Sequence, residues 1–249
     1  MLLNTPAARL RVTVVIFTYQ YSFVGLFRPE PPKPYFTRTH LMPSSRSSKR
    51  FSDLLEFFKN KDAAILSPIE PPDQTTQWIN ELGLKSFRQA AVLIPVTKTN
   101  DVGESSIVLT VRSSNLKSHA GQVSLPGGTS EEQDRDLTAT ALRESYEEIG
   151  LRPEGVEILG QLGELVMPSG YRVTPVVGII ENDLDYVANP AEVESIFLAP
   201  LSLVLDTEAY VRSIVTYRDI ERTVLELHHG DYRIWGATAA ILYHLAKHA

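Results

Sequence analysis

Residues 109–151 read LTVRSSNLKSHAGQVSLPGGTSEEQDRDLTATALRESYEEIGL, and this stretch decides the fold of the chain. Its second half predicts a glycine-rich loop at residues 126–128 that leads into a helix stopped by Gly150. At about 100° per residue, Glu144, Glu147 and Glu148 fall on one side of this helix. The opposite side has apolar spacing suited to packing on a sheet, through Ala139, Leu142, Tyr146 and Ile149. The pattern predicts one buried face and one acidic face.

Three carboxylates with this spacing repel one another, at roughly a few tenths of a kcal/mol per pair in water. A hard divalent cation such as Mg²⁺ relieves that repulsion, since it prefers oxygen ligands, keeps several waters and often binds substrate phosphates. A solvated helix face is the simpler interpretation of a bare R-E-x-x-E-E pattern. The joint occurrence of the glycine pair, the Arg-Glu step and the terminal glycine favours a metal site for phosphate chemistry.

The joint pattern resembles the Nudix box, G-x5-E-x7-R-E-U-x-E-E-x-G-U with U apolar. The matching positions are Gly128, Arg143, Glu144, Glu147, Glu148, Gly150 and Leu151. One residue more than the motif allows separates Gly128 from Arg143, and Ser145 is a weak entry for U. The first glutamate position is taken by Asp134 or shared with Glu131 and Glu132, so no early acid is assigned as a ligand.

The first half of the stretch is similar to the signature that precedes the box in coenzyme A diphosphatases of the Nudix superfamily, which also carry the longer loop. The matching positions are Leu109, Thr110, Arg112, Ser113, His119, Gly121, Gln122, Pro126, Gly127 and Gly128. Leu125 stands where that family more often has Phe. Residues 88–96 and 170–180 also resemble this family, so the resemblance covers residues 85–245. It implies an α/β fold, the Nudix α/β/α sandwich around a mixed β-sheet.

The resemblance also implies the site. Arg143, Glu144, Glu147 and Glu148 are the expected catalytic residues, and the three glutamates are the expected ligands of Mg²⁺ or Mn²⁺. The expected substrate-binding residues are Arg112, His119, Gly127 and Gly128. No carboxylate is assigned as the general base.

Several of these residues admit two interpretations. His119 either donates to a substrate phosphate or orients its own loop. Arg143 either ties a box glutamate to the loop or forms a surface ion pair, and the resemblance favours the first. Arg112 and Lys117 are the basic residues best placed to meet phosphate. An additional acid from outside the box often assists Nudix enzymes, but no motif selects it here, although Glu192 and Glu194 precede an expected strand.

The implied function is metal-dependent hydrolysis of the diphosphate bond of coenzyme A or its derivatives to 3′,5′-ADP and 4′-phosphopantetheine. One alternative is a diphosphatase for other nucleoside diphosphates linked to a moiety X. Another is a non-catalytic nucleotide sensor, which is disfavoured because such modules commonly lose box glutamates and this chain keeps all three.

The net charge and the cysteine count restrict the kinds of partner and of chemistry that we expect for this chain. The formal net charge of −6 argues against a general nucleic-acid binder, because such proteins present a basic surface to polyanions. The absence of cysteine excludes disulfides, thiolate metal sites and a cysteine nucleophile. We expect a small-molecule, coenzyme A type nucleotide as partner, and neither nucleic acid nor a membrane. The oligomeric state is not specified.

The chain divides into a basic arm at residues 1–50, a helical extension at 51–84 and the Nudix domain at 85–249. The arm fits an organelle transit peptide, a poor secretory signal or an upstream extension with Met42 as the true start, which is the favoured interpretation. Its apolar run is too short and too polar to span a membrane. A cytoplasmic location is expected, or a mitochondrial one if the arm is retained.

Regular elements are expected around the signature stretch. Helices are predicted at residues 51–59, 73–82 and 235–248, and strands at 90–98, 107–111, 156–166, 173–180 and 196–198. Gly163 is expected to mark a bulge or a close approach of two backbones. Residues 211–217 and 223–227 predict a hairpin.

Overall fold

The computed structural model describes residues 51–60, 66–72, 86–217 and 220–249. The basic arm, with Met42, and the helix expected at residues 73–82 lie outside the described residues. Within the described ranges, no helix is long and apolar enough to cross a lipid bilayer.

Four helices and eleven strands make up the described fold. The helices are α1 (Phe51–Asn60), α2 (Leu137–Ile149), α3 (Leu201–Val204) and α4 (Gly236–His248). The strands are β1 (Arg88–Thr97), β2 (Ser106–Arg112), β3 (Val123–Ser124), β4 (Gly127–Thr129), β5 (Glu157–Gln161), β6 (Leu165–Met167), β7 (Tyr171–Ile180), β8 (Val193–Pro200), β9 (Val211–Tyr217), β10 (Ile220–His229) and β11 (Tyr232–Trp235).

The main sheet is mixed, and β1 is at its centre. Strands follow the order β3-β2-β1-β7-β5, while β4 also pairs with β1, β6 with β7 and β8 with β2. Strand β1 runs parallel to β7 along its whole length and antiparallel to β2 and β4. Strands β9, β10 and β11 form a separate antiparallel sheet. Because β4 pairs with β1, the glycine loop is fixed to the strand at the centre of the sheet.

Alternate side chains of β1 enter two different cores. Ala91 and Leu93 face helix α2, together with Ala141 and Ile149 of that helix. The opposite face carries the larger core, in which β1 meets α4 and α1. Leu54 of α1 is fully buried there. Helices therefore cover both faces of the sheet, and the expected α/β/α sandwich with a mixed sheet is confirmed.

Most expected elements occur near their predicted positions, with two corrections. The single strand expected at residues 156–166 is divided into β5 and β6, because Gly163 lies very close to another segment of the same chain. A Cβ atom added to Gly163 would be 1.7 Å from the carbonyl oxygen of Ser67. Tyr146, expected on the buried face of α2, is 53% exposed, whereas Glu144 and Glu148 are buried. The prediction that the acidic face is the one turned away from the core was therefore wrong.

Candidate active site

Helix α2 has defined ends that place its carboxylates. Asp136 caps the amino end, where its Oδ1 accepts the backbone N–H of Ala139 at 2.8 Å. At the other end Gly150 adopts a left-handed conformation and donates its N–H to the carbonyl of Tyr146 at 3.0 Å. The helix therefore ends at Gly150, as the sequence pattern predicts.

Glu144 lies directly against the glycine loop. An added Cβ atom on Gly128 would lie 2.5 Å from the Glu144 carboxyl carbon, so only glycine leaves room for this carboxylate. Glu144 is 5% exposed, and burial raises its pKa to about 7, with the charge of Glu192 adding to the effect and Arg143 opposing it. The helix and the loop thus bring a poorly solvated carboxylate to the sheet.

Glu148 stands one turn further along the same face. It is 2% exposed, and its Oε2 accepts the backbone N–H of Gly127 at 3.2 Å. Burial raises its pKa to about 8; the charge of Arg112 and the Gly127 amide oppose this rise, and the charges of Glu192 and Glu144 add to it. A carboxylate in such surroundings must either be paired with a cation or be protonated.

Arg143 is fully engaged by the loop and by its neighbours on α2. Its Nε and Nη2 donate to the two Asp134 oxygens at 2.9 Å each, Nη2 also donates to the carbonyl of Thr129 at 2.9 Å, and Nη1 donates to Glu144 Oε1 at 2.8 Å. This bidentate pairing raises the pKa of Arg143 and holds the pKa of Asp134 below its usual value despite burial. The guanidinium ties a box glutamate to the loop, the first of its two interpretations.

Asp134 therefore anchors the loop. Besides Arg143, it accepts the backbone N–H of Glu131 at 2.9 Å and the hydroxyl of Thr140 at 2.9 Å. Its side chain is 4% exposed, so these bonds are made in a largely dry environment. Asp134, the residue in the first acidic position of the motif, therefore uses both side-chain oxygens in hydrogen bonds within the protein.

Glu147 is less enclosed, with its Oε1 3.7 Å from Arg143 Nη1 and its side chain 34% exposed.

The ends of β2 and β8 bring a further acid to the site. The register shifts between Val111 and Arg112, so that Arg112 is opposite Val193, and the backbone N–H of Ser113 donates to the Glu192 carbonyl at 2.8 Å. Glu192 Oε2 is buried and has no hydrogen-bond partner among the described residues. Its charge acts on both Glu144 and Glu148. Sequence reasoning did not select Glu192, because only the strand pairing brings it to the helix.

Arg112 is buried within the influence of these carboxylates, and His119 is buried within that of Arg112. Arg112 is 4% exposed, and burial lowers its pKa while Glu148 and Glu192 oppose the shift. His119 is 5% exposed and has a positive φ of 60°, which is rare for a residue other than glycine. Its Nδ1 lies 3.0 Å from the side-chain oxygen of Gln122, and burial lowers its pKa to about 4, so the ring is neutral at pH 7.

The donors at this site suit a hard divalent cation. The buried carboxylates of Glu144 and Glu148 supply oxygen ligands, and the unpartnered oxygen of Glu192 lies in the same charge cluster. In their present positions, no three His, Asp or Glu side chains of the described ranges surround a common point. Mg²⁺ typically takes one or two carboxylates and completes its shell with water and substrate phosphates, so a closed protein cage is not required.

In this mixed α/β fold, a glycine loop at the sheet contacts two buried carboxylates of the helix that follows it. This arrangement is the one expected of a protein of the Nudix class. Residues 87–232 match the family model described as the NUDIX domain, and the chain belongs to this family. Nudix hydrolases act on diphosphate anhydrides and generally use divalent metal ions, and this chain is one of them.

Two proteins of similar sequence agree with this assignment. The chain is 41% identical over 160 residues to the "Uncharacterized Nudix hydrolase NudL" of Photorhabdus laumondii, covering 64% of this chain and 84% of that protein. It is 43% identical over 159 residues to the protein of the same name from Citrobacter koseri, covering 64% and 81%. A solved Nudix hydrolase from M. smegmatis, RenU, has a TM-score of 0.45 at 19% identity, covering 65% of this chain and 85% of that one.

Proposed function

We propose that this Nudix hydrolase cleaves the diphosphate of coenzyme A or its derivatives to 3′,5′-ADP and 4′-phosphopantetheine, with Mg²⁺ or Mn²⁺. The observation that carries the proposal is the position of the residues that resemble the coenzyme A diphosphatase signature. Arg112 is buried within the influence of the Glu148 charge, His119 is buried within that of Arg112, and the Gly127 amide donates to the Glu148 carboxylate. The subfamily signature and the box carboxylates therefore meet at one site.

The protein side chains have separate roles in this proposal. Glu144, Glu147 and Glu148 would hold the cation, and Arg143 fixes Glu144 through the 2.8 Å bond to its Oε1. When bound, a divalent cation neutralises diphosphate oxygens and lowers the pKa of a water molecule. Gly127 and Gly128 would contact the diphosphate through their backbone, while the absence of a Cβ atom lets Gly127 lie against β1 and leaves room beside Gly128 for the Glu144 carboxylate.

Glu192 is the carboxylate best suited to accept a proton from the attacking water. Glu148 Oε2 already accepts the Gly127 N–H, and Glu144 Oε1 accepts Arg143. Glu192 Oε2 is buried with no hydrogen-bond partner among the described residues, which leaves it available as an acceptor. In the reaction, water adds to one phosphorus and gives up a proton, the bridging P–O bond breaks, and each product keeps one of the two phosphates of the cleaved diphosphate.

The test is a substrate panel assayed in Mg²⁺ and in Mn²⁺. The proposal predicts that kcat/KM is highest for coenzyme A or an acyl derivative among a set that includes ADP-ribose and diadenosine tetraphosphate. Preference for one of the other nucleotides would keep the Nudix chemistry and reject the coenzyme A substrate. Turnover of none of them, by protein that is folded and binds Mn²⁺, would favour the sensor alternative.

A matched pair of variants assigns any turnover to this site. Glu148→Gln should lower kcat by more than about 100-fold, since changes in groups that only orient the metal ligands already cost about 10–100-fold at metal sites. Glu154→Gln makes the same chemical change on an exposed glutamate of the turn after α2 and should retain wild-type activity.

A further inference from the structure

The connection between β7 and β8 crosses the carboxyl end of α2 and is hydrogen-bonded to it. The N–H of Val187 donates to the carbonyl of Ile149 at 3.0 Å. Two residues further on, the N–H of Asn189 donates to the carbonyl of Glu148 at 2.9 Å. The last carbonyls of a helix have no partner within the helix, so these donors come from outside it. Glu148 is therefore held at two points, by Gly127 at its carboxylate and by Asn189 at its carbonyl.

Asn189 also begins the tight turn that carries Glu192. Its carbonyl accepts the N–H of Glu192 at 2.9 Å and the N–H of Val193 at 2.8 Å. Its side-chain oxygen, Oδ1, accepts the N–H of Ala191 at 3.2 Å. Asparagine is favoured in turns because its side chain bonds in this way to the backbone two residues on. Asn189 is thus bonded both to the backbone of Glu148 and to the backbone of Glu192.

The other side of this turn is fixed to the end of β2. The N–H of Ser113 donates to the carbonyl of Glu192 at 2.8 Å, and the Ser113 hydroxyl donates to the carbonyl of Pro190 at 3.3 Å. The turn at residues 189–192 is therefore bonded to α2 through its first residue and to β2 through its second and last residues.

The Glu192 carboxylate depends on this turn for its position. Its Oε2 is buried and has no hydrogen-bond partner among the described residues, so no such bond holds that oxygen in place. Strand β8 begins only at the next residue, Val193. The backbone of the turn therefore sets where the carboxylate lies relative to Glu148. A displacement of about 1 Å at a reacting group can cost about 100-fold in rate.

We propose that Asn189 is a positioning residue of the hydrolytic site, which fixes the turn that presents the Glu192 carboxylate beside α2. This inference rests on the proposed function in taking Glu192 as the group that accepts the proton from water. It does not depend on which nucleotide is the substrate. Asn189 itself contacts neither the water nor the diphosphate.

Two asparagines of the same connection supply a matched test. Asn189→Leu removes the oxygen that accepts the Ala191 N–H, and Asn182→Leu removes an exposed amide that donates to the carbonyl of Thr99 at 3.1 Å. Each variant loses one hydrogen bond, so both should lower Tm by about 1–6 °C. Only Asn189→Leu should lower kcat, by about 10–100-fold, the range found when groups that orient active metal-site residues are removed.

The kinetic constants separate positioning from a general loss of structure. For whichever nucleotide the wild-type protein hydrolyses, Asn189→Leu should change KM by less than about twofold, because the lost interaction acts on the reacting group and not on substrate binding. Asn189→Ser keeps a neutral acceptor and should recover part of the loss in kcat, since a hydroxyl supports such turns more weakly. If Asn189→Leu does not fold, Asn189→Ala removes the same oxygen with a smaller side chain and should show the same loss.

A double variant shows whether Asn189 acts through Glu192. In a Glu192→Gln background, Asn189→Leu should lower kcat by less than about a further twofold, because the group that it positions is already disabled. Independent losses that multiply in the double variant would overturn the proposal, as would equal kcat values for Asn189→Leu and Asn182→Leu.

The Glu192→Gln protein alone distinguishes this inference from the proposed function. If Glu192→Gln lowers kcat and Asn189→Leu does not, only the positioning role of Asn189 is rejected. If Glu192→Gln leaves kcat unchanged, Glu192 is not the proton acceptor, and the inference falls with that role. Turnover of a nucleotide other than coenzyme A, with the kcat pattern predicted for these variants, would reject the proposed substrate and support the role of Asn189.

Discussion

Replacing Arg143 by Met should destabilise the metal-free protein strongly. The Arg143 guanidinium makes four hydrogen bonds of 2.8–2.9 Å, and its partner Asp134 has only 4% of its side chain exposed. Removing one partner of a buried ion pair costs about 3–5 kcal/mol, because the other charge stays buried and unpaired. In a domain of this size, about 2–4 °C of Tm corresponds to each kcal/mol, so Tm should fall by roughly 6–20 °C.

A neighbouring ion pair supplies the matched control for that experiment. Arg135 Nε lies 3.4 Å from Asp136 Oδ2, and the two side chains are 80% and 51% exposed. Exposed pairs contribute about 0–1 kcal/mol, so Arg135→Met should lower Tm by no more than about 4 °C. Thermal unfolding followed by circular dichroism at pH 7 without metal measures both variants. Equal Tm values for the Arg143 and Arg135 variants would refute the anchoring role of the Asp134 pair.

Three further predictions follow from the site geometry. Gly128→Ala should abolish most activity with a modest loss of Tm, because its Cβ displaces the mobile end of Glu144, whereas Gly127→Ala should impair folding itself, because its Cβ would lie 2.4–2.6 Å from the backbone of β1. Enzyme assays beside melting curves separate the two effects, and equal Tm losses would contradict this division. Mn²⁺ at about 100 times its dissociation constant should stabilise the wild-type protein by about 2.7 kcal/mol, or roughly 5–11 °C, and a shift of the same size in Glu144→Gln at that concentration would count against the metal site. The lowered pKa of His119, about 4 against 6.5 in the unfolded chain, means that its neutral form contributes stability above pH 6.5 that is lost as the pH falls towards 4. Urea unfolding should therefore show a steeper acid loss for the wild-type protein than for His119→Gln, and parallel pH profiles would contradict the pKa shift.

Local sequence patterns were sufficient to predict the main helices and strands of the fold. Alternating and helical periodicities gave β1, β7, α2 and α4 to within a few residues, because each of these elements buries an apolar face. Gly150 marked the carboxyl end of α2, since its left-handed backbone conformation suits few other residues. The α/β/α arrangement then came from the resemblance of the joint motif to the Nudix box.

The carboxylate environment was not predictable from periodicity. Hydrophobic spacing places apolar residues inside, yet Tyr146 is exposed and Glu148 is buried. The reason is non-local, because the glycine loop offers a space without side chains in which carboxylates fit and accept backbone hydrogen bonds. Glu192 was missed as a member of the site for a similar reason, since its position depends on the pairing of β8 with β2, whose residues are more than 80 positions apart.

Product identification by mass spectrometry in ¹⁸O-labelled water tests the central claim most directly. The purified protein would be incubated with coenzyme A and Mg²⁺ or Mn²⁺, beside Glu148→Gln and the exposed control Glu154→Gln. Wild type and Glu154→Gln should release 3′,5′-ADP and 4′-phosphopantetheine, with one ¹⁸O in a single product, only when metal is present. Glu148→Gln should not release these products. Release of these products without metal, or at an undiminished rate by Glu148→Gln, would contradict hydrolysis at the carboxylates of α2.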